Sequence, residues 1–475
     1  MSILIKNGYV VTVDPERRVF DGGFVLVGDD AKIAAVGTRD DAPTNATDVI
    51  DAAGMIVVPG LMNLHQHPWM NLFKGLADGL LLEPWVFRFV QPCIEALRYD
   101  DLVASSRLAA LEMLRTGTTT VLTHDTGFMI PDYETAFIEP MAEAGIRQLF
   151  ARMFQCRTPK RPNHPLSATD AAVDFRKLVS RYHHANGGLT HIGMVIECNA
   201  HHTELGRSSD ELVRSGYGVA VEHDLRVAVH MSGGTLSLDM GFTKYLRLTG
   251  RRDVAYLESL GVLDQRWILK HGIQFTDNDI ATIRERGCHA IYTPTSESMR
   301  GGGLGPWPNL YRAGINCALG TDGPVVDYSV DMVEQMKACI YLQNVKFLDP
   351  TVMSPERVLE MTTINAARAI GLESELGSLE PGKLADIAVF DLNAPHMQVI
   401  HNPLYNFICC ARGADAHTVI VNGKILLRGG KFTRTDGVDA IIAAATASGK
   451  RIAEETGLIA RAAPNWPATI ALAAE

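Results

Sequence analysis

Two textures of hydrophobic patterning divide the chain. Residues 2–12 (SILIKNGYVVT) and 23–36 (GFVLVGDDAKIAAV) are short apolar runs with a Gly-Asp-Asp turn, which predicts strands. The texture returns in 384–392 (LADIAVFDL) and 418–432 (TVIVNGKILLRGGKF), where Asn-Gly and Gly-Gly turns predict hairpins. Two β-rich ends around a long middle predict one small β domain built from both termini. Between them, apolar strand-like runs are each followed by a longer stretch of helical periodicity. YDDLVASSRLAALEMLRTG precedes TTTVLTHD, SATDAAVDFRKLVSRYHH precedes HIGMVIECNA, and TDNDIATIRERG precedes CHAIYTP. About eight such β-then-α units predict parallel strands with crossover helices, closed as a (β/α)8 TIM-like barrel. An open doubly wound sheet would want a glycine-rich dinucleotide fingerprint after its first strand, and none is present.

The expected organisation is therefore α/β. A small β-sandwich domain comprises 1–55 with 373–435, the barrel spans 56–372, and a helical extension covers 436–475. A length of 475 residues accommodates one large and one small domain. Hydrophobic residues make up 47% and charged residues 21%, an ordinary globular composition, and the net charge is −10 with no basic cluster, which argues against nucleic acid. No apolar run reaches membrane-span length, and the N-terminal stretch turns polar too early for a signal peptide. The eight cysteines lack metal-knuckle spacing and read as buried free thiols, with Cys409 and Cys410 in an apolar strand-like run, so a cytoplasmic location is expected.

In a barrel of this kind chemistry sits where strands end. The first predicted strand ends in NLHQHP with His65 and His67; later ones end on His230, on His271 in LKHG, and on Asp322 in LGTDG. Positions i and i+2 of a strand share a face, so His65 and His67 point together. Imidazoles gathered at a barrel mouth suit a divalent metal, whereas five separate structural reasons would be needed otherwise. His124, which ends TTTVLTH, is a further candidate to line the pocket.

These motifs (VVPGLMNLHQH, VAVHM, KHG, LGTDG and GSLEPGKLADIAVFDL) resemble the amidohydrolase superfamily over nearly the whole chain. The likeness is to its mononuclear branch, which holds s-triazine hydrolases and adenosine-type and guanine deaminases. The resemblance implies that His65, His67, His230 and Asp322 are metal ligands. It implies that His271 contacts the metal's water or the substrate, and that Asp322 and His271 are catalytic. Trp85 matches an aromatic near the substrate pocket, and His201 or His202 falls near a substrate-holding histidine. No strand end reads as supplying the lysine that binuclear members carboxylate, which favours one metal. Zinc comes first on ligand grounds, with iron(II), cobalt or manganese as alternatives.

One departure stands out. Related deaminases and triazine hydrolases carry a glutamate three residues after the strand-5 histidine, as general acid. Here that position is Gly233. Three readings follow. The substrate does without that acid, as a small, largely apolar amide, urea, carbamate or thiocarbamate does, with cleavage of a C–N (or C–S or C–O) bond. Alternatively the protein is a deaminase or dechlorinase of a triazine-, purine- or pterin-type heterocycle whose acid comes from elsewhere, with Glu297 and Glu204 as candidates. Or it is a non-catalytic assembly protein, a reading opposed by the complete ligand set. The glycine-rich 299–307 reads as an active-site loop with Trp307 closing over substrate. His183 and His184 read as a solvated helix cap. The family's habit implies a homodimer or higher homo-oligomer acting on a small molecule, with neither nucleic acid nor membrane as partner.

Overall fold

Both ends of the chain contribute to one sheet. The computed structural model describes residues 2–77, 79–156, 167–198, 209–234, 241–433 and 437–463. The N-terminal strands are β1 (Ile3–Val11), β2 (Val19–Val27), β3 (Ile33–Gly37), β4 (Asp48–Asp51) and β5 (Met55–Pro59). The next eight are β6 (Leu61–Gln66), β7 (Thr118–His124), β8 (Arg147–Met153), β9 (Thr190–Val195), β10 (Val227–Met231), β11 (Trp267–His271), β12 (His289–Tyr292) and β13 (Cys317–Leu319). The last four are β14 (Ile387–Asp391), β15 (Ala416–Val421), β16 (Lys424–Arg428) and β17 (Lys431–Phe432).

Strands β1–β5 and β14–β17 make a nine-stranded sheet in which β14 pairs antiparallel with β5. One edge of β1 changes partner along its length, from β4 at Ile3–Lys6 to β5 at Tyr9–Val10. Gly8 sits at that change, where an added Cβ would lie 2.7 Å from Val57 Cγ2.

Strands β6 to β13 pair in chain order, each ladder parallel. The ring closes through a bridge between Gln66 and Asp322, with Asp322 N donating to His65 O at 2.8 Å. The fold is a TIM-type barrel, as expected.

The crossover helices begin where the sequence offers caps. Ser167 accepts from Asp170 N ahead of the helix Ala168–Tyr182, and Ser209 accepts from Leu212 N ahead of Asp210–Glu222. Thr276 and Asp279 form a capping box at Asp277–Arg286. Cys409 and Cys410 are not in a strand. They end the helix Pro403–Cys410, which Asn402 caps through Tyr405 N and Pro403 opens at its first position. All eight cysteines are free thiols.

Arg147 of β8 grips Asp386 with two hydrogen bonds of 3.0 and 3.1 Å, and Asp386 also accepts from Asn422 N. This buried pair fastens the base of the barrel to the terminal sheet. Stranding one partner of such a pair costs about 3–5 kcal/mol. The C-terminal helix Val438–Glu455 lies on the helix Tyr99–Arg115 of its own barrel, buries Ile452 and Ala453, and pairs Arg451 with Asp101. Among the described residues no helix is long and apolar enough to cross a membrane.

Candidate metal centre

The C-terminal ends of the barrel strands bring His65, His67, His230, His271 and Asp322 together. One nitrogen each from His65, His67 and His230 lies within 4.8 Å of the others, and His65, His271 and Asp322 form a second such group. Asn63 on β6 sets the first ligands in place. Its Oδ1 accepts from His65 N and Thr321 N, and its Nδ2 donates to Thr321 Oγ1. Gly320 permits the closeness of β6 and β13, because a Cβ there would stand 2.6 Å from His65 N.

Two residues of the site hold left-handed backbone, His271 at φ 77° and Asp322 at φ 75°. Non-glycine residues adopt this region at a cost that surrounding contacts must offset. At His271 it breaks the in–out alternation of β11. Lys270 and His271 are adjacent, yet both are buried and both bond to groups of the barrel mouth.

Three of the imidazoles, those of His65, His230 and His271, are oriented by a neighbour. His230 Nδ1 lies 2.5 Å from Glu197 Oε1, and His271 Nδ1 lies 2.6 Å from Glu297 Oε1. His65 Nδ1 meets Lys270 Nζ at 3.0 Å. The Nε2 of His65 is fully buried without a well-formed hydrogen bond, 3.3 Å from Asp322 Oδ1; His67 Nε2 is 3.5 Å from the same oxygen. Donors held ~2.0–2.2 Å from one tetrahedral ion lie roughly 3.3–3.6 Å apart. The spacing therefore fits shared coordination better than hydrogen bonding. The residues present fit a divalent metal.

The electrostatics agree. Burial pushes His67 down to about 3, only partly opposed by Asp322, and burial with Lys270 nearby holds His65 well below the usual imidazole range. Burial alone would raise Asp322, but His65 and Arg300 hold it well below the usual carboxylate range. Neutral imidazoles beside a carboxylate are the protonation states a metal ion requires.

Several contributors were not singled out in the sequence. Lys270 Nζ, expected at no strand end, reaches between His65 Nδ1 and His124 Nδ1. Its signal was a lysine inside the apolar run WILKH. Burial drives it well below the ordinary lysine range, against Glu197 and Asp322. Glu197 follows β9 and accepts from both His124 and His230. Ser296 Oγ donates to Asp322 Oδ2 at 2.7 Å, and Arg300 donates to Glu297 Oε1 at 2.7 Å, 3.8 Å from Asp322 Oδ2.

Glu297 is buried at the site, and despite burial its carboxyl is held low by Arg300 and His271. Trp307 is buried and stacks on Tyr292 of β12 with centroids 4.7 Å apart. Trp85 stacks on Phe89 at 6.0 Å inside an apolar cluster that includes Trp69 and Phe73. His201, His202 and Glu204 lie outside the described residues. His183, His184 and His191 gather at the opposite end of the barrel, where His183 Nδ1 accepts from Ile192 N and His191 Nε2 donates to Gly188 O.

At Gly233 the backbone is not in the left-handed region, and among the described residues an added Cβ would meet His271 Cβ at 3.6 Å and Cγ at 3.8 Å. Those are ordinary contacts. Neither the backbone conformation nor crowding by the described residues demands glycine there.

The profile of the amidohydrolase family matches residues 56–426. A 5-methylthioadenosine/S-adenosylhomocysteine deaminase from Syntrophobacter fumaroxidans is 31% identical over 429 residues, covering 90% of this chain and 93% of that protein. An adenosine deaminase from Xanthomonas campestris, solved with bound zinc, superposes with a TM-score of 0.86 at 26% identity, covering 95% of this chain and 98% of that one. An atrazine chlorohydrolase from Arthrobacter aurescens, complexed with zinc, shares the fold with a TM-score of 0.84 at 24% identity, covering 94% and 100%.

Proposed function

The chain belongs to the amidohydrolase family, and from that premise we propose that it hydrolyses a C–N bond of a small, largely apolar amide, urea, carbamate or thiocarbamate. Hydrolysis of C–N bonds other than peptide bonds is the chemistry of its deaminase relatives. The observation that carries the substrate class is Gly233, which brings no acid to the side of His271 where the resemblance places a glutamate.

His65, His67, His230 and Asp322 would hold one divalent metal, zinc by donor chemistry. Such an ion acidifies water and polarises a carbonyl. Asp322 takes a proton from the attacking water as the water oxygen bonds to the carbonyl carbon. Its fixed acceptance from Ser296 Oγ and Gly323 N keeps Oδ1 turned toward His65 and His67. Negative charge develops on the carbonyl oxygen, while His271, whose Nδ1 proton goes to Glu297, presents Nε2 as an acceptor that orients the attacking water. The C–N bond then breaks, and the departing amine takes the proton from Asp322. Attack on an aromatic ring carbon instead places charge on a ring nitrogen, and that nitrogen needs an acid. In the proposed substrates the charge falls on oxygen.

A second reading is favoured by the deaminase relative, 31% identical across 90% of this chain. It makes the protein a deaminase or dechlorinase of a nitrogen heterocycle with Glu297 as relocated acid. Glu297 Oε1 is engaged by both His271 and Arg300, which supports a positioning role instead. Glu297→Gln is therefore expected to lower turnover about tenfold, within the range for residues that orient a site. A loss of about 10³-fold or more would make Glu297 the proton donor and favour the second reading.

Removing metal by chelation and restoring zinc, with amine release from aryl ureas and carbamates as readout, tests the main reading. Activity should vanish and return. Unchanged turnover in the stripped protein would refute it.

A further inference from the structure

We propose that Lys270 and His124 are positioning residues that couple two metal ligands, His65 and His230, through one buried hydrogen-bonded bridge. This rests on the reading that His65, His67, His230 and Asp322 hold a metal ion. Lys270 Nζ lies 3.0 Å from His65 Nδ1 and 2.8 Å from His124 Nδ1. His124 Nε2 lies 2.9 Å from Glu197 Oε1, and the same oxygen is 2.5 Å from His230 Nδ1. The bridge runs His65–Lys270–His124–Glu197–His230 and joins residues on or just beyond β6, β11, β7, β9 and β10.

Its polarity follows from the donors available. Glu197 accepts twice, so His124 Nε2 and His230 Nδ1 each carry a proton. His230 then presents Nε2 as a lone pair. His124 Nδ1 accepts, and the side chain at 270 donates to it. His65 Nδ1 faces the same side chain at 270, so one side chain holds both rings in place. Partners of this kind fix the tautomer and orientation of a ligating ring. His65, His124, Glu197 and Lys270 are all buried, so a break in the bridge leaves groups that bulk water does not readily satisfy.

The alternative occupant of this region is a second ion among His124, Glu197 and His230, whose ligand atoms also lie within 4.8 Å. The bridge opposes it, because Glu197 Oε1 and the nitrogens it receives are already bonded to one another.

The test uses the full-length protein, zinc affinity by chelator competition, and the visible spectrum of the cobalt(II) form, with thermal melting as a check on folding. Wild type should bind one equivalent. Lys270→Met and His124→Phe should each weaken zinc about 10–100-fold and alter the cobalt spectrum. Lys270→Gln should recover most of the affinity, because an amide oxygen accepts from His65 while its NH2 donates to His124. The Lys270→Met/His124→Phe double variant should be no more than about threefold weaker than the weaker single one, since one bridge breaks only once.

Wild-type zinc affinity in Lys270→Met overturns the proposal. So does a loss that Lys270→Gln fails to recover, or a second equivalent of zinc that His124→Phe abolishes. If wild type binds no zinc, the metal reading falls and this proposal with it. If wild type binds zinc and Lys270→Met is unchanged, only this proposal falls.

Discussion

Asp322→Asn is expected to cut turnover by about 10³-fold or more while the protein still folds. Asparagine keeps the shape of the side chain and an oxygen to accept from Ser296 Oγ or Gly323 N, which both bond the carboxylate. It removes the charge that faces His65 and His67, and it removes the proton acceptor. General-base catalysis alone contributes about 10²–10⁴-fold, and weaker metal binding adds to the loss. Melting temperature and zinc content measured beside kcat separate the causes. A variant that melts like wild type and turns over within tenfold of it would exclude Asp322 as the base.

Gly233→Glu is expected to fold and to raise ammonia release from amino-substituted purines or triazines by about 100-fold, the scale of a well-placed general acid. Its backbone lies outside the left-handed region, and the new Cβ would rest 3.6 Å from His271 Cβ. Amine release from ureas and carbamates should stay level or fall, because the new carboxylate fills space their substituents occupy. Rates on both substrate classes, wild type against variant, check this. A variant that gains nothing on heterocycles would show that position 233 does not set the substrate class.

The barrel was legible because each strand and its following helix carry different periodicities, and the structure adds that Ser167, Ser209 and Thr276 cap three of those helices. The ligand candidates were legible because His65 and His67 are two apart on one strand and the others fall at strand ends. Lys270 was not, because strand alternation turns it away from the face of its neighbour. Only the left-handed backbone of His271 lets both residues of the pair serve the site. Glu197 was passed over beside the more conspicuous His201 and His202, and its role depends on His124 and His230, 73 and 33 residues away. Cys409 and Cys410 sit in an apolar run too short for periodicity to separate strand from helix; Asn402 and Pro403 carried the signal instead.

The most direct test of the central claim is a competition assay on zinc-loaded wild-type protein. An N-aryl-N′,N′-dimethylurea, which yields amines and no ammonia, and 5-methylthioadenosine are supplied together at equal concentration, and released amine and ammonia are followed by mass spectrometry. Amine release that outpaces ammonia release by at least about 100-fold, the scale of the acid that Gly233 does not supply, is the predicted result. Ammonia release that dominates would contradict the account and make the protein a heterocycle deaminase with its acid elsewhere.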